Sequence, residues 1–128
     1  MSGIVDTLSK MEGLLSGKGV QDNIINDAEE KLGLKFSKEY RQYLLSFGVA
    51  AVNGHELTGL GSSSRVNVVD VTLSQRSRCN VDDSLYVIEE ANVDKAVYWQ
   101  NMSGKVYITV GASEPKQIAD SLISFISD

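Results

Sequence analysis

The apolar period of this chain changes once, at Gly48, and that change limits the folds open to it. Before Gly48, apolar residues recur three and four apart. Ile4, Leu8, Met11 and Leu15 form one helical stripe, Val20, Ile24, Ile25, Ala28 and Leu32 a second, and Tyr40, Tyr43, Leu44 and Phe47 a third. Gly17-Lys18-Gly19 breaks the chain after the first stripe, Gly33 fits a C-terminal cap on the second, and Ser37 an N-cap on the third. After Gly48 the runs are short and rich in β-branched and aromatic residues. Residues 49–52 and 55–58 flank Asn53-Gly54, the strongest two-residue hairpin signal, and residues 85–88 read as a buried strand. Residues 95–99 and 105–110 flank Asn101-Met102-Ser103-Gly104, a second hairpin. Ser113-Glu114-Pro115 then predicts the opening of a closing helix with Ile118, Leu122, Phe125 and Ile126 inward. Residues 66–73 stay open: their valines favour a strand, while Asn67 as a cap favours a helix. Helices, an antiparallel sheet and a closing helix make an α+β arrangement.

A chain of 128 residues fits one domain, residues 1–128, and 42% apolar residues suffice for a core without a disulfide or metal staple. Cys79 is the single cysteine, so no internal disulfide forms and a reducing compartment is expected. The first residues lack a basic run followed by an apolar stretch, and no segment approaches the roughly 20 apolar residues of a membrane span, so the expected location is cytoplasmic.

The net charge is −5, from 17 acidic and 12 basic residues. Nucleic-acid binding draws on clustered Lys and Arg, and the densest basic pair, Arg76 and Arg78, is balanced by Asp82-Asp83, so no direct nucleic-acid contact is expected. An acidic surface favours a basic partner; it equally keeps a protein in solution. Asp82, Asp83, Glu89, Glu90 and Asp94 put five acids in thirteen residues around one strand. That stretch is either a docking patch or an edge guarded against aggregation. Tyr98 and Trp99 are neighbours on a strand, so one faces inward and the outward one is a candidate interface anchor. With Glu56 beside the first hairpin turn, these residues are the candidate partner-binding set.

Catalytic chemistry has little to start from. His55 and Cys79 are the only histidine and cysteine, and a thiol–imidazole pair would need them to meet. The sequence reads better with His55 at the surface of a hairpin tip and Cys79 as a small, partly buried hydrophobe. One His and one Cys supply no metal-ligand spacing, and no cofactor is implied. Gly59-Leu60-Gly61-Ser62-Ser63 lacks both the third glycine of a dinucleotide fingerprint and the Gly-Lys-Ser/Thr of a P-loop, and reads as a flexible connection. The adjacent carboxylates Glu29-Glu30, Asp82-Asp83 and Glu89-Glu90 read as solvated surface, not a glycosidase pair.

Four stretches together resemble the SUKH superfamily, the Smi/Knr type of immunity proteins. They are residues 24–33, a helix with a central acid and a Leu-Gly end; residues 37–48, the following helix; Asn53-Gly54 with Leu57-Thr58-Gly59-Leu60; and Gly104-Lys105-Val106-Tyr107, similar to the family's late G-x-V-Y strand. The resemblance covers about residues 20–126 in the correct order. It implies a helix over residues 68–77. One departure is that Lys35-Phe36-Ser37 stands where the family usually has Leu-Pro. The resemblance implies an immunity protein that binds and neutralises a cognate toxin, for example a basic nuclease domain, as a monomer or weak homodimer. Regulatory, non-toxin binding is the alternative, since eukaryotic relatives resemble regulators of cell-wall synthesis. No catalytic residue carries over.

Overall fold

A computed structural model describes residues 3–61, 66–79, 81–91, 95–111 and 113–127. The first helix, α1 (Ile4–Ser9), buries Ile4 and Leu8 and then stops. The stripe had suggested a helix as far as Leu15. Gly13 instead turns the chain at φ +76°, and Leu15 enters a short strand, β1 (Leu15–Ser16), where it is 71% exposed. Helix α2 (Asp22–Leu32) ends at Gly33, whose left-handed φ of 70° lets its N–H reach the Glu29 carbonyl at 2.8 Å. Helix α3 (Lys38–Phe47) begins where the Ser37 hydroxyl accepts the Tyr40 N–H at 3.0 Å, the local capping role expected of this Ser.

Glu29 corrects the reading of Glu29-Glu30 as surface. Its side chain is 4% exposed and accepts the Phe36 N–H at 2.9 Å and the Arg41 guanidinium at 3.0 Å, fastening α2 to α3 through the link between them. Residue 29 faces inward with Ala28 and Leu32, so the helix buries the charge and partners it.

Strands β2 (Ala50–Val52) and β3 (His55–Glu56) are joined by Asn53 and Gly54, both at positive φ (53° and 82°), the backbone of a type I′ turn. With β1 they form a three-stranded antiparallel sheet ordered β1-β2-β3. Residues 62–65 of the expected flexible connection lie outside the described residues. Helix α4 (Val68–Arg76) settles the open segment, with the Asn67 side chain accepting the Val69 and Asp70 N–H groups at 2.9 and 3.2 Å.

Strands β4 (Tyr86–Glu90), β5 (Ala96–Gln100), β6 (Val106–Val110) and β7 (Lys116–Ala119) form a four-stranded antiparallel sheet in chain order. β7 corrects the expected start of the closing helix. The Pro115 pattern suits a helix opening, but residues 116–119 pair with β6 and leave Ile118 43% exposed. Sheet hydrogen bonds thus override a local pattern, and α5 (Leu122–Ser127) starts only after the Ser121 hydroxyl accepts the Ser124 N–H at 3.0 Å.

Alternation along the strands serves two cores. Tyr86, Ile88 and Val106 join α1, α2, α3 and α5 residues in the larger one, while Val87, Val97 and Trp99 pack with Val71, Cys79 and Leu85 in the smaller. A hydroxyl network runs through the larger core. Tyr40 Oη meets Thr58 Oγ1 at 2.8 Å, Tyr43 donates to the Thr58 carbonyl at 2.7 Å, and the Thr58 N–H donates to the Ile88 carbonyl at 2.8 Å. Thr58 therefore ties the end of the β2–β3 hairpin to β4, and this tie positions the site described next.

Candidate functional site

With Thr58 bonded to Ile88, the hairpin residues just before it lie beside the strand residues just after it. A β-bulge decides which strand residues these are. Val87 pairs with Trp99, but the next paired residue is Glu89, opposite Tyr98. Without that irregularity Glu89 would share the side of Val87, which belongs to the smaller core. The bulge turns it instead toward the hairpin.

There, Glu89 Oε1 lies 2.7 Å from His55 Nδ1, and Oε2 accepts the Glu56 N–H at 2.8 Å. With Glu89 ionised, its carboxylate only accepts and the His55 Nδ1 is the donor. The His55 ring packs on Phe125 at a centroid separation of 4.6 Å, and Tyr98 packs on the same ring at 4.8 Å. Around this arrangement opens a cleft of about 280 Å³ lined by His55, Glu56, Glu89, Glu90, Ala91 and Tyr98. Glu90 borders it with a carboxylate that accepts from the Gln75 Nε2. Three carboxylates, one of them tied to the single imidazole, give the cleft an acidic lining suited to a Lys or Arg side chain.

Of the candidate partner-binding residues, the fold thus brings Glu56, Glu89, Glu90 and Tyr98 together. Glu56 and Glu90 are exposed, whereas Glu89 is 7% exposed and acts from beneath, holding the hairpin against β4. Asp82 and Asp83 are exposed but precede β4, away from Glu89 and Glu90 at its far end. The Ser84 hydroxyl and N–H hold the Asp82 carboxyl below its ordinary range, and the N–H bond measures 2.7 Å. Arg76, expected to be balanced by these acids, also favours the Asp82 carboxylate through its charge, and its guanidinium donates to the backbone carbonyls of Leu32 (3.1 Å) and Asp83 (2.6 Å). Trp99 is the inward member of the aromatic pair, fully buried with its indole N–H on Thr109 Oγ1 at 2.9 Å, so Tyr98 is the one that borders the cleft. Asp94 lies outside the described residues.

His55 is the member that sequence reasoning missed. It was expected at a hairpin surface, yet its side chain is 19% exposed, pinned between Glu89 and Phe125. The only hint was its position just after Asn53-Gly54, and nothing in the sequence located the bulge that delivers its carboxylate. Cys79 is buried among Gln75 Oε1, Thr109 Oγ1 and the Gly111 carbonyl, at 3.7 to 3.9 Å from its Sγ, none of which borders His55. The geometry therefore does not assemble a thiol–imidazole pair. Gly59 serves close packing: a Cβ there would fall 1.8 Å from the Gly48 carbonyl oxygen. Among the described residues, no group of three or more His, Cys, Asp or Glu is placed to hold a metal ion, and no helix is long and apolar enough to cross a membrane.

A family model described as SMI1-KNR4 cell-wall matches residues 1–128. No curated protein matches the chain.

Proposed function

The chain belongs to the SUKH_5 family, SMI1-KNR4 cell-wall, and on that premise we propose that it is an immunity protein that binds and neutralises a cognate toxin. The match over residues 1–128 carries this reading. The acidic cleft lined by Glu56, Glu89 and Glu90 supports this reading, since its carboxylates favour a basic partner. A nuclease toxin must present a basic groove to its substrate, and an acidic inhibitor competes for that groove. In this role the protein acts by occupation and needs no reacting group of its own. Co-expression with the toxin encoded beside it tests the proposal: the chain restores growth, and survival no better than with an empty vector overturns it.

The family's cell-wall description favours a second reading, a regulatory binding module of cell-wall synthesis. Partners isolated from the native cell separate the two. A toxin domain supports the first reading, and wall-synthesis or signalling proteins support the second.

A further inference from the structure

We infer that the partner docks across one face of the four-stranded sheet, through a segment that presents a basic, an apolar and an acidic side chain in that order. This rests on the immunity reading, which makes the partner a toxin, and it specifies the chemistry the toxin brings. Strand pairing sets Glu89 opposite Tyr98, Tyr98 opposite Ile108 and Ile108 opposite Lys116, one row across β4, β5, β6 and β7. Paired residues share a face of the sheet. For this row it is the face that Val106, two residues before Ile108, buries in the larger core. The irregularities in register fall between Val87 and Glu89 and between Ala119 and Gln117, so neither interrupts the row. The bonds of Glu89 to His55 and to the Glu56 N–H place its side chain on the same side.

The row changes character along its length. At the β4 end lies the acidic cleft, lined by Glu56 and Glu89. In the middle, Tyr98 and Ile108 are partly buried; Phe125 of α5 packs on Tyr98 at 4.8 Å, while Val110, two residues beyond Ile108 on the same face, is 47% exposed. At the β7 end Lys116 is exposed. A net charge of −5 by itself attracts a basic partner in any orientation. Carboxylates and a lysine held three strand spacings apart, about 14 Å, with apolar side chains between them, select one orientation. A toxin segment that sets a Lys or Arg in the cleft then lays an apolar side chain on Ile108 and Val110 and an Asp or Glu beside Lys116. The apolar centre excludes water and the charged ends fix direction, the division of labour found in specific interfaces.

The test uses substitutions that oppose bulk attraction. Val110→Asp and Lys116→Glu each make the chain more acidic, which tightens binding to a basic toxin if net charge alone decides it. Docking along the row gives the reverse, with each change raising Kd about tenfold or more. Leu73→Asp is the control: it adds the same charge at a 48% exposed position of α4, the helix whose Val71 packs with Trp99 on the opposite face. It should stay within about threefold of the parent. Titration calorimetry of the full chain with the toxin encoded beside it measures all four, and circular dichroism of each variant verifies that the fold persists. If the parent binds and either row variant stays within about threefold of it, the inference is overturned and the immunity reading stands. The same holds if Leu73→Asp weakens binding as much as the row variants do. If the parent itself fails to bind, the immunity reading falls and this inference with it.

Discussion

Both oxygens of Glu89 are engaged by the hairpin, one by the His55 ring and one by the Glu56 N–H, on a side chain only 10% exposed. Removing a buried acceptor leaves its donors unpartnered, which costs about 1–3 kcal/mol. Glu89→Ala is therefore expected to lower the unfolding free energy by about 1–3 kcal/mol, read as a lower urea midpoint at unchanged m, while Asp83→Ala, at an exposed carboxylate, stays within about 0.5 kcal/mol of the parent. Equal shifts for the two variants would show that the tie to His55 carries no stability. Tyr40, Tyr43 and Tyr86 carry a second consequence of burial, which raises all three phenol pKa values. Above about pH 10 the unfolded chain releases these protons and the folded chain keeps them, so stability is full below that pH and falls as pH rises, by up to roughly 4 kcal/mol per unit for three groups. The phenolate absorbance of these three should appear together with the loss of circular dichroism; their ionisation in a still-folded chain would contradict the burial argument. At this scale the site was half legible. Exposed carboxylates such as Glu56 and Glu90 follow from charge density, and strand alternation required one of Tyr98 and Trp99 to be inward. Which one, and the burial of Glu89, depend on a bulge and on which face meets the second core, and neither has a local signature.

Helix α5 has only six residues, too few to be stable alone, and its N-terminus is held from outside. The Glu39 carboxylate, on α3, accepts the Leu122 N–H at 2.6 Å and the Ile123 N–H at 3.0 Å, and one of its oxygens also accepts from the Gln100 Nε2 at 3.1 Å. A negative group at this end meets free N–H groups and the positive end of the helix dipole. Glu39→Ala should cost about 1–2 kcal/mol and should speed amide exchange at Leu122 and Ile123 well beyond that in α2. Uniform acceleration across the chain would mean that Glu39 supports the fold generally and not α5 in particular. The contrast explains which elements could be read in advance. α2 and α3 carry their own terminators, Gly33 and Ser37, within a residue of the helix end. β1, β7 and α5 are set by distant partners: β1, which takes over the end of the first stripe, by pairing with β2, β7 by pairing with β6, and α5 by Glu39 some 83 residues earlier in the chain. Periodicity over residues 4–15 and 115–126 could not show where those partners would interrupt it.

Across the whole molecule, net charge and topology act together. An excess of five negative charges spread evenly would favour solubility and little else. The fold concentrates part of it, because Thr58 clamps the hairpin to β4 and the bulge brings Glu89 to the hairpin with Glu90 beside it. Glu56 and Glu90 lie 34 residues apart in the chain and on different sheets, yet line one cleft. Such a rim acts at a distance, before contact, by raising the encounter rate with a basic partner, and salt screens it over about 10 Å at 0.1 M. In the immunity reading, Glu56→Lys with Glu90→Lys should therefore slow association with the toxin about tenfold at low salt and change dissociation by less. The deficit should shrink as salt is added, because the parent loses its steering while the variant loses its repulsion. Stopped-flow association across a salt series, beside dissociation by dilution, measures both. An association rate equal to the parent's at low salt would place the docking surface elsewhere, and a loss confined to dissociation would make these carboxylates contact residues without a steering role.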